Sequence, residues 1–195
     1  MNIPNILTVL RTLMSLATAV MLCFNVGWLP TFTFFFFVAA GLTDWVDGYI
    51  ARKHNMVTVF GKFMDALSDK IMVIGLFIVL LGLGLYYSWG VFAMFCALIS
   101  VTREFFISGL RMMAANAGVV LAAEQIGKYK AGFQMYSIGA IICARAFKLD
   151  FGLDFGDILH DLAFYSGVAT LGVSTLLSIW SGVGYAIKYG YLFKE

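Results

Sequence analysis

Four aspartates, Asp44, Asp47, Asp65 and Asp69, stand in the pattern Asp44-x2-Asp47-Gly48-x2-Ala51-Arg52-x8-Gly61-x3-Asp65-x3-Asp69, in a chain whose residues are 62% hydrophobic and 12% charged. An ionisable group inside a membrane span persists only where it faces a bundle interior or meets a group of opposite sign, so it marks function. At helical spacing Asp44, Asp47, Gly48 and Ala51 fall on one face, and Gly61, Asp65 and Asp69 repeat the arrangement on the next helix. Carboxylate oxygens gathered in this way are ligands for hard cations, Mg²⁺ or Mn²⁺, and cations so held neutralise and orient a diphosphate. Two ions about 3.5–4 Å apart would clamp the attacking and leaving oxygens of an in-line displacement. Gly48 and Ala51 leave room for a ligand to approach the helix backbone, and Arg52 offers a fixed charge to an anion. Taken alone, the two small residues fit close helix packing equally well.

These residues need helices to position them. A soluble domain carries about 25% charged residues, so this chain is expected to be a polytopic membrane protein. From Thr12 to Thr43 no charged residue occurs, and a single helix over that stretch would be about 48 Å long, more than one bilayer. Gly27 and Pro30 divide it. With each span needing about 20 residues, the apolar runs place six at roughly 6–28, 31–52, 63–86, 89–113, 128–147 and 162–187. The expected fold is therefore an all-α bundle of six transmembrane helices forming one domain over 1–195, without tandem repeats.

Sorting the 13 Lys and Arg residues by side leaves only Arg145 and Lys148 on one face. By the positive-inside rule the other face, with both termini, is cytoplasmic, and the four aspartates converge there. The first apolar run has no basic residue before Arg11 and continues past Ala19, which reads as an uncleaved first span rather than a signal peptide. A net charge of +2 with dispersed basic residues gives no footing for nucleic acid. Cys23, Cys96 and Cys143 have neither zinc-site nor disulfide spacing and read as packed thiols.

Between Ala144 and Asp161 lie Asp150, Asp154, Asp157 and Asp161, interleaved with Phe147, Phe151 and Phe155. The segment is expected outside the cell as an amphipathic interfacial helix, not as a second acidic site. Its Asp150-Phe151-Gly152 has no accompanying Gly-rich or catalytic-loop pattern to make it a kinase signature. His54 and His160 lie in a short loop and beside the outer acids, and neither is expected to be catalytic.

At the cytoplasmic end the fourth span carries Arg103, Glu104, Ser108 and Arg111, and the next begins with Lys128 and Lys130. Arg forks and Lys point charges suit a phosphorylated acceptor, but routine cytoplasmic basic charge accounts for such a cluster equally well.

Every fixed position from Asp44 to Asp69 resembles the signature of the CDP-alcohol phosphotransferases, integral membrane enzymes that join a CDP-activated phosphoryl donor to an alcohol. The resemblance implies a metal site of two Mg²⁺ or Mn²⁺ ions on Asp44, Asp47, Asp65 and Asp69, with Asp69 as base. It also implies contacts to CDP-diacylglycerol from Asn5, Thr8, Gly48, Ala51, Arg52, Thr58 and Gly61. The runs Asn2–Arg11, Arg103–Arg111 and Gly127–Lys130 look like the bacterial branch that uses glycerol 3-phosphate, implying Arg103, Ser108, Arg111, Lys128 and Lys130 as acceptor contacts. The implied products are phosphatidylglycerol phosphate and CMP, made by a homodimer in the bacterial cell membrane. Inositol phosphate or serine remain open as acceptors. A divalent-cation carrier would also use intramembrane acids, but it needs access from both faces, and the outer halves of the spans have no acid.

Overall fold

In a computed structural model of the chain, residues 3–53, 59–116, 118, 125–151 and 155–190 are described. Among them are six α-helices and no strand: α1 (Ile3–Met21), α2 (Leu29–Lys53), α3 (Val59–Gly82), α4 (Gly90–Asn116), α5 (Gln125–Asp150) and α6 (Phe155–Tyr189). Two stretches, Tyr87–Asn116 and Gly156–Tyr189, are long and apolar enough to cross a membrane, and Ile6–Met21 and Leu29–Thr43 are shorter apolar helices.

The distribution of polarity is inverted relative to a water-soluble bundle. Phe32, Val91, Leu176, Trp180 and Ile187 are all more than half exposed, while Thr18, Thr33, Ser137, Ser174, Ser178 and Ser181 are fully buried. Several of these hydroxyls are satisfied within their own helix. Thr18 donates to the Met14 carbonyl, Thr33 to Leu29 and Ser178 to Ser174, each at 2.8 Å, the back-bonding to the preceding turn that lets Ser and Thr sit inside a helix.

The core gathers Phe37 of α2, Met72, Leu76, Phe77 and Leu80 of α3, Ile138, Ile141 and Ile142 of α5, and Phe164, Val168 and Leu171 of α6. A smaller cluster of Ile107, Leu110, Ala114, Tyr185 and Tyr189 joins α4 to α6. Glycine sets how closely the helices approach. A Cβ on Gly139 would lie 2.9 Å from Phe37 Cε1, and one on Gly167 would lie 3.1 Å from Ala140 Cβ, so α2 against α5 and α5 against α6 pack through small residues. Ser137 Oγ then donates to the Gly167 carbonyl at 2.7 Å.

Helix ends depart from the expected spans in explicable ways. The first helix stops at Met21, and Gly27 takes a positive φ of 50° in the turn before α2. Pro30 then occupies the first turn of α2, where its missing N–H costs nothing. At the end of α3, Gly84 (φ 66°) closes a Schellman cap: its N–H donates to Leu81 and that of Leu85 to Leu80, both at 3.0 Å.

The acidic stretch from Ala144 to Asp161 does not form a separate interfacial helix among the described residues; it is shared between the end of α5 and the start of α6. Two of its charges, Arg145 and Asp150, have tertiary partners. Arg145, buried, donates to the Leu22 carbonyl and to Asn25 Oδ1. Asp150 Oδ2 accepts from the Thr31 N–H at 2.8 Å and its hydroxyl at 2.6 Å. Thus α5 sets a cation on the C-terminal carbonyls of α1 and an anion on the opening N–H groups of α2, the signs the two helix dipoles favour.

Candidate active site

At the opposite end, the first halves of α1, α3 and α5 meet the second half of α4 and the end of α6. Arg11 of α1 is the centre of the first group. It is 1% exposed, yet its guanidinium reaches α3: Nε donates to Ser68 Oγ at 3.0 Å, and one NH2 donates to Asp65 Oδ1 at 2.8 Å and to the Asp65 carbonyl at 3.2 Å. Thr12 Oγ1 lies 2.8 Å from Ser68 Oγ and 3.1 Å from the Thr8 carbonyl oxygen. A buried guanidinium so tied compensates its own desolvation and fixes the rotation of α3 against α1.

The spacing reading of α3 holds in its geometry. Gly61, Asp65 and Asp69 follow one another at intervals of one turn, and both carboxylates are exposed. Asp69 lies within electrostatic reach of Arg11, Glu104, Lys130 and Asp65. Exposed, all-oxygen donors of this kind fit Mg²⁺ or Mn²⁺. Among the described residues no group of three or more candidate metal ligands occurs. The other two acids of the motif fall outside that set: α2 carries Asp44, Asp47, Gly48, Ala51 and Arg52, but their side chains, that of Asn5, and Thr58 altogether lie outside the described residues. Thr8 is buried between α1 and α3, one turn from Arg11.

The second group belongs to α4 and α5. Glu104 Oε1 accepts from Arg103 at 3.0 Å and from the buried Lys130. Arg103 also donates to Ser181 of α6 at 2.7 Å, and its Nε, buried, has no hydrogen-bond partner among the described residues. Ser108 Oγ accepts from Lys70 of α3 at 2.6 Å and donates to the Glu104 carbonyl at 2.8 Å. Glu104 thus feels three cations, Lys130, Arg103 and Lys70, and Asp69 also acts on Lys130, so the cations of this group outnumber its acids.

Of the residues expected to contact the acceptor, the structure brings together Arg103, Ser108 and Lys130. Arg111 is exposed, seven positions after Glu104 on α4. Lys128, two positions and so about 200° around α5 from Lys130, lines an outward apolar groove with Tyr129, Phe133 and Tyr136. Sequence reasoning assigned no part in this site to Arg11, Ser68, Lys70, Ser181 or Gln134. Gln134, one turn after Lys130, is 1% exposed with Nε2 unpartnered among the described residues. A polar residue one turn from Lys130 in an apolar run was the available signal for Gln134; the rest depend on contacts distant in sequence.

The chain is similar to known proteins over most of its length. A family model described as CDP-alcohol phosphatidyltransferase matches residues 1–180. A protein of Bacillus subtilis named CDP-diacylglycerol--glycerol-3-phosphate 3-phosphatidyltransferase is 42% identical over 106 residues, 54% of this chain and 52% of that protein. Its namesake in Escherichia coli is 30% identical over 186 residues, 94% of this chain and 92% of the relative. A cardiolipin synthase (CMP-forming) of Oryza sativa is 34% identical over 169 residues, 83% of this chain but 49% of that protein. With the match running through the aspartate motif and on into α6, the chain belongs to the CDP-alcohol phosphatidyltransferase family.

Proposed function

We propose that this protein transfers the phosphatidyl group of CDP-diacylglycerol to glycerol 3-phosphate, giving phosphatidylglycerol phosphate and CMP. The observation that carries the proposal is the meeting of two half-sites on α3, which bears Asp65 and Asp69 on one side and sends Lys70 into the Arg103–Glu104–Lys130 cluster on the other. The names of the Bacillus and Escherichia relatives support the same donor and acceptor.

Asp44, Asp47, Asp65 and Asp69 would hold Mg²⁺ or Mn²⁺, which when bound neutralises the diphosphate and stabilises the leaving CMP. The remaining chemistry falls to the chain. Asp69 takes the proton of the acceptor hydroxyl as that oxygen bonds to the lipid-side phosphorus, and the phosphoanhydride bond breaks with its electron pair going to CMP. Asn5, Thr8, Gly48, Ala51, Arg52, Thr58 and Gly61 are proposed to seat the nucleotide. The uncompensated charge around Glu104 and the unpartnered Arg103 Nε suit a phosphate dianion, since a buried donor without a partner costs about 1–3 kcal/mol unless a ligand supplies one.

The apolar exterior supports a single six-span bundle in the bacterial cell membrane. The basic bias of the end that carries Arg11, Asp65 and Lys130 supports a cytoplasmic active site and cytoplasmic termini. Family resemblance adds a homodimer, which mass determination in detergent tests. The deciding assay for function gives the purified protein CDP-diacylglycerol with glycerol 3-phosphate, inositol 1-phosphate or serine, and identifies lipid products, cardiolipin included. CMP release with glycerol 3-phosphate is expected; release only with another acceptor would reassign the substrate.

A further inference from the structure

We infer that Gln134, with Ser100 opposite it, selects the acceptor by its middle hydroxyl, the one that is neither phosphorylated nor attacking. This rests on the reading that the acceptor is glycerol 3-phosphate, and it concerns the floor of the site beneath Glu104 and Lys130.

Gly127, Lys130 and Gln134 fall on one face of α5, and the first two meet α4. A Cβ on Gly127 would lie 3.5 Å from an Arg103 guanidinium nitrogen, and Lys130 donates to Glu104. The two helices run in opposite directions, since the second half of α4 and the first half of α5 share the site end. One turn inward from Lys130 on α5 is therefore level with one turn inward from Glu104 on α4, which sets Gln134 against Ser100. A turn further in, fully buried Tyr86 stands near both Cys96 of α4 and Ser137 of α5, which keeps the register.

Ser100 and Gln134 are 2% and 1% exposed, and neither the Ser100 hydroxyl nor the Gln134 Nε2 has a hydrogen-bond partner among the described residues. Two groups able to bond each other, level with each other and yet unbonded, enclose a polar space. Its origin is the packing: α4 lies on α3 and α6, α5 on α2, α3 and α6, and the α4 and α5 backbones scarcely approach one another.

The space opens towards the site. Side chains lean to the N-terminus of their helix, so Gln134 leans to Lys130. Glycerol 3-phosphate has three groups to place. Its attacking hydroxyl goes to Asp69 and its phosphate to Arg103 Nε, which leaves the middle hydroxyl. Arg103 and Ser100 are three residues apart, about 4.5 Å along α4, a span that one three-carbon acceptor bridges. A hydroxyl both donates and accepts, so it answers the amide and the serine together. An analogue without it leaves them unpaired, and a site built to bond a hydroxyl rejects such an analogue strongly.

The test compares glycerol 3-phosphate with 3-hydroxypropyl phosphate, which keeps the phosphate and the attacking hydroxyl and lacks the middle one. CMP release from CDP-diacylglycerol is measured with the full-length protein in detergent, as wild type, Gln134→Met and Ser100→Ala. Wild type is expected to favour glycerol 3-phosphate in kcat/KM by about tenfold or more. In Gln134→Met that preference should fall about tenfold, equivalent to about 1.4 kcal/mol, and Ser100→Ala should lower it by less. A wild type indifferent to the two acceptors overturns the inference. So does a preference unchanged in both variants, the result expected if the space holds only a structural water; should Gln134→Met fail to fold, an unchanged preference in Ser100→Ala alone does so. CMP release by wild type with inositol 1-phosphate or serine and with neither three-carbon phosphate sinks the acceptor reading itself, and this inference with it.

Discussion

Asp150, the last residue of α5, accepts both the backbone N–H and the hydroxyl of Thr31 in the first turn of α2, 119 positions earlier in the chain. A carboxylate at the start of another helix does the work of an N-cap. Replacing an N-cap acceptor costs about 1–2 kcal/mol, so Asp150→Ala is expected to lower the thermal unfolding midpoint in detergent. Turnover per folded molecule should stay unchanged because the contact lies at the end remote from Asp69. Thr31→Val should cost a similar amount, and the double variant less than the sum of the two.

This pairing also marks what the sequence made legible. Six helices were readable because each apolar run is long, and the breaks at Gly27 and Pro30 fell at the observed turn between α1 and α2. Asp150 was read as part of a surface helix because nothing local distinguishes a solvated acid from one that caps a distant helix. Arg11 was hidden for the same reason: its partners Ser68 and Asp65 are 57 and 54 residues away. Spacing along α3 did show that Asp65 and Asp69 share a face. It placed Lys128 beside Lys130, however, and two residues of helix turn them to opposite sides.

Glu104→Gln would leave the buried Lys130 without its counter-charge. Removing one partner of a buried pair costs about 3–5 kcal/mol, so a large fall in unfolding temperature is expected. Adding Lys130→Met should restore much of that stability, because it removes the buried charge left without its partner. Glycerol 3-phosphate-dependent CMP release should not return with it. Calorimetry and a CMP assay on the same preparations separate the two effects.

Asp69→Asn keeps shape and polarity while removing the proposed base. General-base loss costs about 10²–10⁴-fold, so the turnover number should drop by that factor with CDP-diacylglycerol affinity within a few-fold of wild type. Turnover near the wild-type rate would reassign the base.

Gly139→Ala tests the helix approach. Its new Cβ would meet the Phe37 ring at 2.9 Å, and forcing a well-packed interface apart costs about 1–3 kcal/mol. Gly75→Ala, where nothing lies within 4 Å, should instead stabilise α3 by up to about 1 kcal/mol through helix propensity. Unfolding curves of the two variants should therefore move in opposite directions.

Because α3 carries Asp65, Asp69 and the ammonium that reaches Ser108 within six consecutive residues, the proposed seats for donor and acceptor share one rigid rod. Turning that rod by a single residue, about 100°, would spoil both at once. In the proposed reaction, α3 would therefore hold the two half-sites in fixed register with each other.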